Sequence, residues 1–212
     1  MPDRSKSPHS PPAPVVVRPL TPSRWDDLLE LFGERGACSG CWCMLFRIGG
    51  PEWKAGTRNR AAGNRAAFED LVRKRRTPGL LAYVDGLPVG WVSVAPREQF
   101  PRIERSPTVR PVDDRPVWSS VCFYIDRNHR GSGVASALLD AAVRHAASKG
   151  ARMVEGYPLD EEHRRPSNAE AYVGLESMFR AAGFREVARR HPARPIMRRT
   201  VVPRSRKRSS AG

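Results

Sequence analysis

Residues 122–150, CFYIDRNHRGSGVASALLDAAVRHAASKG, read as a strand, a glycine turn and an amphipathic helix in immediate succession. Cys122-Phe123-Tyr124-Ile125 is a short run of aromatic and β-branched residues, and the turn-prone Asp126-Arg127-Asn128 closes it, the pattern of a buried strand. From Gly133 onward the apolar residues Ala135, Leu138, Leu139, Ala142, Val143 and Ala146 recur at the spacing of one helical face. Gly150 then provides a C-terminal stop. Between strand and helix lies Arg130-Gly131-Ser132-Gly133-Val134-Ala135. Glycines allow a tight turn and a close backbone approach, while the N–H groups of a first helical turn have no acceptor within their own helix. Aligned peptide dipoles add partial positive charge at that end and Arg130 adds a full one, so a phosphate or pyrophosphate is the expected guest. A plain strand-to-helix turn using glycine for conformation alone is the other reading. The stretch has neither the dinucleotide glycine fingerprint nor the Gly-Lys-Ser/Thr of a P-loop.

Working outward, residues 1–14 are rich in Pro and Ser and are expected to be disordered, residues 15–202 form a single domain, and residues 203–212 are a basic, disordered tail. Val15–Val17 reads as a strand. Thr21-Pro22 opens a helix carrying Trp25, Leu28, Leu29 and Phe32 up to Gly33. A second helix spans Thr57–Arg76, with Phe68, Leu71 and Val72 inward and Arg58, Arg60, Arg65, Arg73, Arg75 and Arg76 as a cationic face. Leu80–Val84 and Val89–Val94 flank the hairpin signal Asp85-Gly86, with Leu87-Pro88 lengthening the loop. Residues 96–116 read as a long loop and a candidate lid or acceptor wall. Val117–Ile125 and Arg152–Tyr157 are strands on either side of the central helix. A last helix opens at Ser167 or Asn168 and places Tyr172, Leu175, Met178, Phe179 and Ala182 on one face. Gly183-Phe184 stops it, and strands Arg185–Arg189 and Ile196–Val202 follow.

A chain of 212 residues suits one domain with a sizeable core. Its 37 Lys and Arg against 22 Asp and Glu give a net charge of +15, and 32 of the basic residues are Arg. Such a field attracts polyanions, whether a nucleotide-bearing cofactor, an acidic substrate or nucleic acid, and does not choose among them. The helical arginines have no aromatic platform interleaved with them, so nucleic acid is possible but not favoured. No apolar run is long enough to span a membrane and no secretory leader is evident. Four cysteines, three of them crowded at Cys38, Cys41 and Cys43, do not make a secreted disulfide framework, so a cytoplasmic location is expected. Three thiols without a fourth ligand nearby also fall short of a structural zinc site. No metal is expected; the segment reads as a packed loop beside a ligand cleft.

Arg130-x-x-Gly133-x-Ala135, after a hydrophobic strand and before this helix, resembles the acyl-CoA-binding signature of the GNAT superfamily of N-acetyltransferases, Arg/Gln-x-x-Gly-x-Gly/Ala. Residues from about Val15 to Val202 can be laid out in that family's order, and Cys38-x-x-Cys41-Trp42-Cys43-Met44 is similar to a segment in a subset of its members. The resemblance implies an α/β (α+β) fold, a mixed and mostly antiparallel sheet of about seven strands with about four helices. It also implies acetyl-CoA as co-substrate and an N-acetyltransferase acting on a primary amine of a small molecule or peptide.

On this reading the phosphates belong to Arg130 and the backbone of Gly131, Ser132, Gly133, Val134 and Ala135. The resemblance lets the backbone of Phe123, Tyr124 and Ile125 pair with pantetheine, and lets a splay between the two strands flanking the central helix admit the thioester. Trp42, Met44 and Phe46 would then shape the acceptor pocket. The family's proton-donating tyrosine corresponds to Phe179, at the cofactor site, so the acid falls to Tyr172 and the base, through water, to Glu155, which otherwise reads as an exposed strand carboxylate. A non-catalytic acyl-CoA-binding module and an enzyme modifying a nucleic-acid-linked or protein amine remain alternatives. Monomer and homodimer are both compatible with the sequence.

Overall fold

Seven strands form one sheet in the order β1-β2-β3-β4-β5-β7-β6 in the computed structural model, which describes residues 14–74, 76–163, 167 and 170–202. The expectations for the two termini, for Arg75 and for Asn168 lie outside the described residues. The strands are β1 (Val16–Pro19), β2 (Gly79–Val84), β3 (Leu87–Pro96), β4 (Trp118–Ile125), β5 (Met153–Gly156), β6 (Arg185–His191) and β7 (Arg194–Thr200). Helices α1 (Trp25–Phe32), α2 (Gly50–Gly56), α3 (Arg58–Arg73), α4 (Pro101–Glu104), α5 (Val134–Ser148) and α6 (Glu176–Ala181) cover it. All neighbours are antiparallel except β4 and β5, which run parallel because α5 carries the chain from one to the other. The mixed, mostly antiparallel fold read from the sequence is therefore the fold observed.

Helix α5 buries Val134, Leu138, Leu139, Ala142, Val143 and Ala146 against Leu80, Val92, Val94, Phe123 and Val154. Its first turn sits so close to β3 that a Cβ on Gly90 would lie 2.8 Å from a Val134 methyl and 3.0 Å from a Leu138 methyl. Gly150 and Gly183, at φ 89° and 78°, end α5 and α6. Ala151 N–H donates to Ala146 C=O and Phe184 N–H to Phe179 C=O, each at 3.0 Å, the six-to-one bond of a glycine stop. The opposite sheet face packs Leu81 and Trp91 against α1, α3 and Trp42, with Phe100, Ile103, Val109 and Tyr157 further along.

Several expectations are corrected. The β2–β3 turn is only Asp85-Gly86, both at positive φ, and Leu87 and Pro88 already pair with Val84 and Tyr83. The short turn wins because both positive-φ residues match strand twist, and Pro88 pairs with Tyr83 beside the register shift between Ala82 and Tyr83, where proline is tolerated. Residues 97–109 are not open loop: a 3-10 turn at Arg97–Gln99 and α4 bury Phe100 and Ile103 fully. The arginine helix spans Arg58–Arg73 and is kinked near its start, with Asn59, Arg60 and Ala61 at positive φ, and it is partly paired, Arg73 with Glu69, while Lys74 beyond its end pairs with Asp70. The last helix is broken: a 3-10 turn at Ala171–Val173 ends on Gly174 at φ 83°, and α6 begins afresh at Glu176. Tyr172 and Phe179 consequently do not share a helical face.

Candidate active site

Pairing between β4 and β5 is confined to Trp118–Ser120 against Val154–Gly156, so beyond Ser120 the two parallel strands part. A register shift at the same level, Ser93 opposite Cys122 but Val94 opposite Ser120, leaves Val121 without a partner in β3 and bends β4 away. Phe123, Tyr124 and Ile125 thus form a strand end with its β5 side open.

The opening leads into a cleft of about 450 Å3 whose floor is the turn into α5. Gly131 and Gly133 hold φ of 76° and 84°, and a Cβ at either would meet no protein atom within 4 Å. The glycines are required by conformation, and the space before them is free for a ligand. Asp126 Oδ1 accepts from Asn128 N–H at 2.9 Å and Ser132 Oγ donates to His129 C=O at 2.6 Å, which shapes the turn from within. Arg130 Nε donates to Ile125 C=O at 3.3 Å while its side chain stays exposed, tying the cation to the strand end. Free N–H groups at the start of α5, a fixed cation and open space fit a pyrophosphate. Phe123, Tyr124, Ile125, Arg130, Gly131, Gly133, Val134 and Ala135 all line this cleft, and so do Ser136, Gly174, Leu175 and Met178, which sequence reasoning missed. Ser132 faces inward to its own turn.

A second, smaller cavity of about 190 Å3 adjoins the first, and Cys38, Phe123, Tyr124 and Tyr172 line both. Its remaining walls are Ala37, Ser39, Cys41, Cys43, Leu45, Phe46, Trp53 and Cys122, so all four thiols of the chain meet here. The Cys loop reaches this shape through positive φ at Ala37, Ser39, Trp42 and Cys43. Such backbone costs about 1–3 kcal/mol per residue and persists only where its surroundings hold it. Trp42 and Met44 turn away into the core, Trp42 stacking on Trp25 at 6.2 Å. Asn64, fully buried on α3, donates to Gly40 C=O at 2.9 Å, and Arg47 donates to Pro78 C=O at 3.0 Å while its guanidinium lies 4.4 Å from the Phe100 ring centre. Burial lowers the Arg47 pKa to about 10. The segment after β3 lines neither cavity but buttresses the wall, Arg102 donating to Leu45 C=O at 3.3 Å.

Cys43 Sγ accepts from Trp91 Nε1 at 3.0 Å and lies 3.8 Å from Cys122 Sγ. That contact first, and burial second, push the Cys122 thiol well above its ordinary range. Burial first, then Cys43, push Cys41 up to about 12. These are protonated, weakly nucleophilic thiols at neutral pH. Among the described residues, no group of three or more His, Cys, Asp or Glu side chains is placed to hold a metal ion.

Three expected site residues are placed differently. Tyr172 borders both cavities, half-buried, and burial raises its phenol pKa, against the opposing influence of Arg194. Glu155 is not an exposed strand carboxylate: it is fully buried and lines neither cavity. It accepts from Tyr157 OH at 2.6 Å and Arg198 Nε at 2.6 Å, and Arg198 in turn grips Asp113 at 2.7 and 3.0 Å. Phe179 is fully buried rather than cofactor-facing, edge-on to Phe123 and Phe184, and close enough that a Cβ on Gly156 would fall 2.1 Å from its ring.

A glycine loop at a helix start, beside two parallel strands that part where two cavities adjoin, is the arrangement expected above for an acyl-CoA-dependent transferase. Residues 44–165, more than half of the chain, match the family described as Acetyltransferase (GNAT) family, and the chain belongs to that family of acetyl-CoA-dependent acyltransferases. No curated protein matches the chain. Among solved structures it is similar to the PaiA N-acetyltransferase from Thermoplasma acidophilum in complex with coenzyme A, at 15% identity and a TM-score of 0.50, covering 89% of this chain and 99% of that one. A GNAT-family acetyltransferase from Streptococcus agalactiae aligns at 12% identity and TM-score 0.52, covering 88% and 95%. A protein described as histone acetyltransferase HPA2 and related acetyltransferase, from Corynebacterium glutamicum, aligns at 17% identity and TM-score 0.51, covering 91% and 98%. At these identities the likeness is one of fold.

Proposed function

We propose that the protein moves an acetyl group from acetyl-CoA to a primary amine by direct attack, with the cofactor cleft and the thiol-lined cavity holding the two substrates on either side of the β4–β5 parting. The observation that carries this reading is the meeting of the two cavities at Cys38, Phe123, Tyr124 and Tyr172. The coenzyme A bound to the Thermoplasma protein of the same fold supports it. Bound acetyl-CoA supplies an electrophilic thioester carbon and a thiol leaving group. Arg130 and the N–H groups from Gly131 to Ala135 neutralise phosphate charge, and the parted backbone of Phe123–Ile125 orients the pantetheine arm. The amine nitrogen forms a C–N bond to that carbon, the C–S bond breaks, and the nitrogen's proton ends on sulfur. Tyr172 is the proton donor to sulfur, because it alone among the expected acids and bases borders both cavities and its raised pKa keeps it protonated.

Calorimetry with acetyl-CoA tests the cofactor assignment. Arg130→Glu and Gly133→Glu should each weaken binding by about tenfold or more, as expected for reversing a cation at a helix N-terminus or straining a glycine-only conformation there. Unchanged affinity in both, with the fold intact, overturns it. Acetyl-CoA binding without release of free CoA to any amine would favour a non-catalytic binding module, the reading that the inward-turned Phe179 supports.

A further inference from the structure

We infer that the acceptor is a small aromatic amine, uncharged at neutral pH, seated among Phe46, Trp53, Tyr124 and Tyr172 in the thiol-lined cavity; this rests on the acetyl-transfer reading above. A cavity of about 190 Å3 admits little more than one substituted ring. Its walls are apolar and aromatic, and neither Asp, Glu nor His is among them. Outside the described residues the sequence carries just two side chains of these types, Asp3 and His9. Charged groups near the lining are mostly cations: Arg130 acts on Cys38 and Tyr124, and Arg194 and Arg102 on Tyr172. Asp126, the acid acting on Tyr124, is already engaged by His129 at 3.2 Å and by Asn128 N–H.

An alkylammonium entering this cavity loses its hydration and meets no anion in exchange. It must also shed a proton before attack, from a group that titrates at about 10 in lysine, and among the described residues the lining offers neither a carboxylate nor an imidazole to take it. The thiols do not help, since Cys41 and Cys122 are held in their neutral form. An aromatic amine avoids both difficulties. Its lone pair is delocalised into the ring, so the nitrogen is neutral at pH 7 and attacks without prior deprotonation. Its ring also packs edge-on or offset against four aromatic side chains. In the balanced step the nitrogen bonds to the acetyl carbon, the C–S bond breaks, and the proton lost by nitrogen afterwards reaches the departing sulfur through Tyr172.

The test uses the full chain. Acetyl-CoA affinity is measured first by calorimetry, and free CoA is then followed chromatographically with matched acceptors: aniline, 4-methylaniline and 4-aminophenol against benzylamine, tyramine and spermidine. Expected are acetylation of the aromatic amines with at least about tenfold higher kcat/KM than benzylamine, the gap expected from burying an unpaired charge, and a rate on aniline that is flat from about pH 6.5 to 8.5, where its nitrogen does not titrate. Ser39→Asp, an exposed loop position at positive φ that Asp tolerates, brings a carboxylate to the cavity wall. It should shift the aniline-to-benzylamine ratio toward benzylamine by about threefold, the effect of a partly exposed ion pair. Acetyl-CoA binding with turnover of alkylamines in preference to aromatic ones overturns the inference and leaves the transferase reading standing, with cation–π capture of the ammonium as its explanation. Acetyl-CoA binding with no turnover of any aromatic amine also overturns it. Failure to bind acetyl-CoA at all overturns the transferase reading and this inference together.

Discussion

At the scale of single residues, a phenol at the junction of two cavities matters more than the position of any acid in the sequence. Tyr172 stands on a 3-10 turn whose Gly174 breaks the chain direction, which swings the ring into the space between cofactor cleft and thiol cavity. Tyr172→Phe should lower kcat by about a hundredfold, the low end of general-acid contributions, with KM for acetyl-CoA little changed. Its pKa is raised and only the protonated phenol can donate. Activity should therefore hold through the ordinary tyrosine range and fall only as pH rises through the raised value, and this alkaline limb should vanish in the variant. Cys41 makes a prediction about stability. Its thiol is held neutral up to about 12, whereas an unfolded thiol ionises at about 8.5. The contribution is complete below the unfolded value and is lost as pH rises toward 12, so the melting temperature of Cys41→Ser should fall less steeply above pH 9 than that of the unaltered protein.

Elements explain how a strained loop can build a cavity wall. The Cys loop holds four non-glycine residues at positive φ, and α3 reaches across to hold it through Asn64 and the Arg65–Trp42 contact at 5.6 Å. Asn64→Ala removes the donor to Gly40 C=O and the longer bond to Trp53 C=O at 3.4 Å. The loss of a buried hydrogen-bonding group should cost about 1–3 kcal/mol in urea unfolding and raise KM for the acceptor more than KM for acetyl-CoA. The cofactor loop depends on other elements, β4 and α5, which explains why the two Michaelis constants should separate. Local signals made α5, its glycine entry and the hairpin at Asp85-Gly86 readable. The end of that hairpin and the break at Gly174 were not, because turn type and helix continuity there are decided by strand register and by the packing of Met178 and Phe179 over Gly174.

Across the whole molecule, a buried ionic cluster ties together parts of the chain that no short-range pattern connects. Glu155 on β5, Arg198 on β7, Asp113 before β4 and Tyr157 beyond β5 form one network on the sheet face opposite α5. Glu155→Ala leaves Arg198 paired with Asp113 but takes the acceptor from Arg198 Nε and from Tyr157 OH, so it should destabilise the protein by about 1–3 kcal/mol, read from denaturant unfolding. If the residue were a catalytic base, Glu155→Gln would instead reshape the pH dependence of kcat; with the network structural, the profile should keep its form. The net charge of +15 belongs to the chain as a whole, whereas the walls of the thiol-lined cavity are apolar. Among the described residues, no helix is long and apolar enough to cross a membrane.

The sequence by itself determined the strand–loop–helix unit at residues 122–150, because periodicity, glycine stops and an anion-binding helix start are written in neighbouring residues, and its resemblance to the family supplied the seven-strand mixed sheet. Only the tertiary structure decided what stands around that loop. It gathered Cys122 with three thiols some eighty residues earlier, their Sγ atoms as near as 3.8 Å, and turned Phe179 into the core. It also placed Tyr172 at the junction of the two cavities and sealed Glu155 beneath Arg198. Each of these outcomes rests on which distant segments share a sheet face or a parted strand edge. The energies involved, burial of rings and pairing of charges, exist only once those segments have met.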